Sequence, residues 1–157
     1  MGVAGAGKSV VGEVLAERLG VPFVDGDALH PASNVAKMSA GTPLTDDDRW
    51  PWLRTVGETL QGAQATGMVL ACSALRVAYR DAIREIAPAT FFVHLHGTAE
   101  LHAERIGGRP GHFMPPALLT SQLALLEPLG PDEAGATIDI TPAVDEIAAL
   151  AAAAVLA

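Results

Sequence analysis

Cysteine occurs once in the 157 residues, as Cys72. A single thiol excludes a disulfide framework within the chain and points to a reducing compartment, the cytoplasm. Positive charge is scarce too: ten Lys and Arg stand against eighteen Asp and Glu, for a formal net charge of −8 at pH 7. General nucleic-acid binding needs a positive face that displaces counterions from phosphate, so this balance argues against it. Long apolar runs are also lacking. Hydrophobic residues make up 50% of the chain, but charges and glycines interrupt them, and the Ala-rich end is too short and weakly apolar to span a bilayer. No basic region followed by an apolar stretch opens the chain, so neither a signal peptide nor a membrane partner is expected. The length suits one domain, residues 1–157, able to bury its own core.

Because cations are few, their placement is informative. Lys8, Lys37, Arg49, Arg76, Arg80, Arg105 and Arg109 all sit in short motifs. An acidic shell around a few placed cations suits a small anionic ligand held in a cleft.

The first motif opens the chain. "GVAGAGKS" fits G-x-x-x-x-G-K-S, with Gly2, Gly7, Lys8 and Ser9 at its fixed positions. Glycines at 2, 5 and 7 let the backbone turn its N–H groups around phosphate oxygens. Gly2, Ala4, Gly5, Ala6, Gly7, Lys8, Ser9 and Val10 are therefore the expected cradle for ATP. Lys8 would meet the β and γ phosphates and the Ser9 hydroxyl Mg²⁺. The pattern specifies nucleotide binding and leaves the reaction open.

Further along, Val11, Val14, Leu15 and Leu19 follow helical spacing up to Gly20, and "VPFVDGD" reads as a strand. A short helix is expected after His30-Pro31, and a longer one after "TDDDRWP" with Pro51 near its first turn and Leu53, Val56 and Leu60 facing inward. "GMVLACS", "TFFVHLHG" and "ATIDI" read as strands; "YRDAIREIA", "TAELHAERI" with Thr98 as N-cap, and Leu118 to Leu126 read as helices. A last helix is expected with Thr141 as cap and Pro142 at its first position. Alternating strands and helices imply an α/β fold, a parallel sheet between helix layers. "GGRPGHFMPP" breaks the periodicity and has the composition of a mobile lid, around residues 105–117.

Asp25 and Asp27, spaced i and i+2 where the first strand ends, would lie at the ligand-binding carboxyl edge of such a sheet. One can hold Mg²⁺ through water while the other takes a proton from an attacking hydroxyl; the plainer alternative is a pair of turn carboxylates around Gly26. "ACSAL" lacks the metal-binding aspartate that motor-type ATPases and GTPases carry there, which shifts weight toward compact kinases.

Together "MGVAGAGKS", "DGDALHPASNVAKMSAGTPLTDDDRWPWL", "CSALRVAYRDAIR" and "GHFMPPALLTSQLALLEP" resemble the small P-loop gluconokinase family, in order and over nearly the whole chain. The resemblance implies a three-layer α/β/α P-loop kinase fold like that of shikimate and nucleoside monophosphate kinases. It also implies transfer of the γ-phosphoryl of ATP to the 6-hydroxyl of D-gluconate, and it is compatible with a homodimer. By analogy with the shikimate kinase arrangement, Asp27 is the expected base and Asp25 the metal contact. His30, Asn34, Lys37, Arg49, Ser73 and Arg80 could supply the cation and hydrogen bonds a sugar acid needs, and whether Arg49 or Arg80 meets its carboxylate is open. Arg49 could instead pair with Asp46 to Asp48, and Arg80 and Lys37 could be solvated surface residues. From the lid, Arg105 and Arg109 could swing onto ATP and neutralise the transferring phosphoryl group, one of them alternatively stacking on adenine, with His112 contacting substrate.

His94 and His96 share a strand face, but without carboxylate or thiol partners they form no convergent metal set with His102. Trp50 and Trp52 are expected to pack their helix. A kinase for another hydroxy acid or nucleoside, and a nucleotide-binding regulator, are the competing functional readings. In the gluconokinase family the loop follows a hydrophobic strand. Here only Met1 precedes it, so the natural chain is expected to begin several residues earlier, or else another segment or a partner subunit fills the place.

Overall fold

A computed structural model describes residues 1–108 and 116–157. Its elements alternate as the periodicity implies: α1 (Lys8–Leu19), β1 (Phe23–Asp25), a 3-10 turn (Gly26–Leu29), α2 (Ala32–Ser39), α3 (Asp46–Gly62), β2 (Val69–Ala71), α4 (Val77–Ile86), β3 (Phe92–His96), α5 (Ala99–Gly107), α6 (Pro116–Leu125), β4 (Gly135–Asp139) and α7 (Val144–Leu156).

The helix boundaries have local causes. At α3, Thr45 accepts a hydrogen bond from the Asp48 N–H while the Asp48 carboxylate accepts from the Thr45 N–H, a reciprocal capping box. Asp46, Asp47 and Asp48 in that first turn also oppose the positive end of the helix dipole. Pro51 lies one turn further in, and the helix continues through it. The last helix corrects the expectation of a Thr141 cap. There the Asp139 carboxylate captures the Thr141 N–H at 2.6 Å, which turns the chain early, leaving Pro142 outside and Ala143 as N-cap.

The strands pair in parallel as β1 with β2 and β3 with β4. Alternation along β3 sends Phe92 into a cluster with Trp52, Leu53, Val56, Tyr79 and Ile83 of α3 and α4, and Leu95 into one with Val11, Ile140 and Ile147. On that second face α1 packs on α7, with Leu15 against Ala148 and Ala151. Helices thus cover both faces, the three-layer arrangement expected.

Between the two pairs stand the first two residues. Leu95 N–H donates to the Met1 carbonyl at 2.9 Å, the Met1 amino group to the Val93 carbonyl, and Gly2 N–H to the Ser73 carbonyl at 3.2 Å. Behind Met1 the pairs are separated by a cavity of about 280 Å³ lined by Val69, Leu70, Ala71, Cys72, Phe92 and Val93 among others. No helix of the described residues is long and apolar enough to cross a membrane.

Candidate active site

The phosphate loop is built by backbone that side chains would obstruct. Gly5 and Gly7 have φ of 77° and 87°, and a Cβ on Gly5 would come within 2.5 Å of the His102 carbonyl oxygen of α5. Gly7 is the N-cap of α1, so the positive end of that helix faces the loop. The Lys8 Nζ donates to the Val3 carbonyl at 3.1 Å, curling back over the loop. The guanidinium of Arg105 lies 3.7 Å from where a Cβ on Gly7 would stand, and it donates to the Ile140 carbonyl. Arg105 therefore flanks the phosphate loop.

Asp25 joins the loop to the acceptor side. Its Oδ2 accepts from the Ser9 hydroxyl at 2.8 Å and its Oδ1 from the Asp27 N–H at 3.0 Å. Ser9, Asp25 and Asp27, drawn from two separate motifs, form one cluster at the carboxyl end of β1, with Asp27 exposed. An aligned hydroxyl and carboxylate are hard oxygen donors of the kind Mg²⁺ takes.

From Asp27 a polar track leads away across α3. His30 stacks on Trp52 with centroids 4.2 Å apart, and Trp52 Nε1 donates to the Gly26 carbonyl at 2.8 Å. Asn34, itself buried, donates to the His30 Nδ1 at 3.2 Å and to the Asp48 carbonyl at 2.8 Å, which leaves the hydrogen of the imidazole on Nε2. Burial holds the His30 pKa below its usual range; Asp27 works against this and Arg49 with it, so the three groups are electrostatic neighbours. At the far end Arg49 and Arg76 both contact the Asp46 carboxylate, at 3.4 and 3.1 Å, and both lie over the Tyr79 ring. Two guanidinium groups thus share the Asp46 carboxylate, with Glu127 a second acidic neighbour of Arg76.

Of three expected acceptor contacts, Arg80 is placed otherwise, while Lys37 and Ser73 have partners within the protein. Arg80 is fully buried: Nε and Nη2 donate to the Glu133 carboxylate at 2.7 and 2.8 Å, and its remaining donors reach the Ala74, Leu75 and Pro128 carbonyls. Neither the solvated face nor the acceptor role describes it, because every nitrogen is committed inside the protein. Arg80 holds the Glu133 carboxyl down at about 2. Lys37 donates to both Asp48 oxygens, at 2.7 and 2.8 Å, and holds that carboxyl down to about 2 as well. Ser73 offers its carbonyl to the Gly2 N–H, which ties the turn after β2 to the phosphate loop. Arg109 and His112 lie outside the described residues.

Sequence reasoning missed one contact and one bend of the backbone. Gln122 of α6 accepts from the Ala4 N–H at 2.7 Å, anchoring the phosphate loop to the helix that follows the expected lid; a lone Gln within a helix carries no signal of this. Ala74, buried with φ of 43°, bends the chain between Ser73 and Arg76, and nothing about an alanine announces a left-handed turn. Trp52 packs the core, whereas Trp50 is exposed and meets Tyr79 edge-on. His94 and His102 are buried with unpartnered Nδ1 atoms, and burial lowers the His94 pKa to about 4. Among the described residues no group of three His, Cys, Asp or Glu could hold a metal.

The model of the family described as "Shikimate kinase" matches residues 4–124. The gluconokinase of Gluconobacter oxydans (strain 621H) is 50% identical over 85% of this chain and 76% of its own length. The thermosensitive gluconokinase of Escherichia coli (strain K12) is 45% identical over 85% and 72%. A crystal structure of a gluconokinase from Sinorhizobium meliloti 1021 superposes with a TM-score of 0.89 at 47% identity, covering 99% of this chain and 89% of that one. The Mycobacterium tuberculosis APS kinase CysC, at 17% identity and a TM-score of 0.70, shares the fold. With relatives this similar over most of its length, the chain belongs to the gluconokinase family of P-loop kinases.

Proposed function

We infer that this chain phosphorylates D-gluconate at its 6-hydroxyl with ATP, giving 6-phospho-D-gluconate and ADP. The observation that carries the reading is the Asp25 bridge, which sets the Ser9 hydroxyl of the phosphate loop and the exposed Asp27 in one cluster. The family relationship supplies the acceptor.

The loop amides, the start of α1 and Lys8 hold the triphosphate. Ser9 and Asp25 are the residues that would hold Mg²⁺, which when bound neutralises phosphate charge. Asp27 accepts the proton of the acceptor hydroxyl as its oxygen bonds to the γ-phosphorus and the bond to the ADP oxygen breaks. Arg105, beside Gly7, is positioned to offset charge on the transferring group, with Arg109 assigned to the same work. His30 lines the track between, and Arg49 with Arg76, the paired guanidinium groups beside Asp46, receives the acceptor carboxylate.

The test is ADP release with Mg-ATP and D-gluconate, shikimate, glycerate, nucleosides or no acceptor. Turnover specific to gluconate is expected. Turnover preferring another acceptor would overturn the assignment of substrate, and tight ATP binding without turnover on any acceptor would replace it with a nucleotide-binding module.

A further inference from the structure

Asn34 is buried, at 1% exposure, and its side-chain amide nitrogen makes two contacts, with the Asp48 carbonyl of α3 at 2.8 Å and with the His30 Nδ1 at 3.2 Å. A carbonyl oxygen only accepts, so the atom facing Asp48 is the nitrogen, and the second hydrogen of that nitrogen goes to His30. Nδ1 must therefore accept, and the ring hydrogen stands on Nε2. Two further contacts complete the hold on the ring. His30 stacks on Trp52, 14° from parallel, and Trp52 is itself fixed by its bond to the Gly26 carbonyl. Stacking sets the plane of the imidazole, and Asn34 sets its rotation within that plane. The His30 N–H also reaches the Asp27 carbonyl at 3.4 Å, so the ring follows the 3-10 turn that carries Asp27.

The other ring nitrogen is left over. Nε2 has no hydrogen-bond partner among the described residues, and it is not enclosed as the Nδ1 atoms of His94 and His102 are. Burial lowers the His30 pKa, so the ring is neutral at pH 7 and its Nε2–H is an uncharged donor. We propose that Asn34 is a positioning residue for phosphoryl transfer: by fixing the tautomer and orientation of His30, it presents the Nε2–H as a preset donor to a hydroxyl oxygen of the acceptor bound beside Asp27. The inference rests on the reading of this site as a sugar-acid kinase. Charge divides the track. Asp27 takes a proton, Arg49 with Arg76 holds a carboxylate, and His30 offers a neutral donor suited to the hydroxyls of the acceptor. A donor whose direction is already set loses little freedom on binding, and an acceptor lacking a hydroxyl there would leave it unpaired. Asn34 itself touches no acceptor, because both hydrogens of its amide are used inside the protein.

Nitrogen-15 spectra of the imidazole test the hold on the ring in the unsubstituted protein, with no acceptor present. The Nε2–H form of His30 is expected, with a scalar coupling between the Asn34 amide nitrogen and Nδ1 across their hydrogen bond. What the donor does is read kinetically with Mg-ATP and gluconate. Asn34→Leu nearly keeps the volume and removes both donors; it should raise the KM for gluconate by about 3- to 10-fold, the size of one neutral hydrogen bond, and leave the KM for ATP unchanged. His30→Phe keeps a ring on Trp52 and removes both nitrogens. In that background Asn34→Leu should cost less than about twofold more, because its effect runs through the imidazole. An equal loss in both backgrounds would make Asn34 only a tie between α2 and α3 and would overturn the proposal. So would an unchanged KM for gluconate in Asn34→Leu, or an Nδ1–H ring or absent coupling in the unsubstituted protein. The spectra need neither a variant nor turnover, so they are decided apart from the choice of substrate; if another acceptor is preferred, the same kinetic comparison is made with it.

Discussion

Asp25 and Asp27 are two residues apart and do different things. Asp25 engages Ser9 with one oxygen and the Asp27 amide with the other, which fixes it; Asp27 is exposed. Replacing Asp27 with Asn should lower kcat for gluconate by about 10²- to 10⁴-fold, the usual share of a general base, and leave ATP affinity nearly unchanged; ADP release and nucleotide titration check both. The arginines separate in the same way. Arg49→Ala should raise the KM for gluconate by about 10- to 100-fold, the size of a charged hydrogen bond, while the protein stays folded. Arg80→Met, in contrast, takes two donors from the nearly buried Glu133, leaving it to Arg84 at 2.8 Å and the Gly130 N–H, and should cost about 1.5 to 3 kcal/mol of stability, with KM unaltered in whatever remains folded. Denaturant titration beside steady-state kinetics distinguishes the two residues.

At the scale of elements, the ends of helices carry the site. The capping box and acidic first turn of α3 hold Asp46 and Asp48 where they can engage Arg49, Arg76 and Lys37, so a capping signal and a binding-site signal share one run of acids. The motif "TDDDRWP" made that helix start legible. Which cation each acid would take was not, because Arg76 and Lys37 reach α3 from different elements. The junction of α6 and the phosphate loop rests on Gln122 and the Ala4 N–H. Gln122→Ala should raise the KM for ATP by roughly 3- to 10-fold, the equivalent of one hydrogen bond, with little change in thermal midpoint; a fall in midpoint with unchanged KM would assign the contact to the fold alone.

Across the whole molecule, groups of two kinds set the response to acid in separate windows, buried bases led by His94 and ion-paired carboxylates led by Glu133. Burial keeps the His94 pKa near 4 against an ordinary 6.5, so between these values the unfolded chain binds the proton and the folded one does not, and stability is lost as pH falls from about 6.5 to about 4. Glu133 is held near 2 against an ordinary 4.5, so its contribution is present above about 4.5 and is lost as pH falls toward 2. Unfolding free energy measured against pH should therefore decline in two stages, and His94→Gln should make the upper one shallower and leave the lower one unchanged, with the Met1 amino group, His30 and His102 still contributing to the upper. The clusters on the two sheet faces, with α3 and α4 on one and α1 and α7 on the other, connect these groups into a single body.

The phosphate loop, the order of helices and strands, and the paired carboxylates were determined by the sequence alone, because each depends on neighbours within a few residues: glycines that turn, apolar residues at a fixed period, acids at the end of a strand. Tertiary structure decided which cations are committed inside the protein and which stay partly open to solvent. Arg80 and Arg49 look equivalent in sequence, and only the fold places Glu133, 53 residues from Arg80 along the chain, against one of them and not the other. It decided likewise that Gln122 touches the loop and that a cavity lies behind Met1. Contacts between distant segments are set by packing, and packing leaves no local trace in the order of residues.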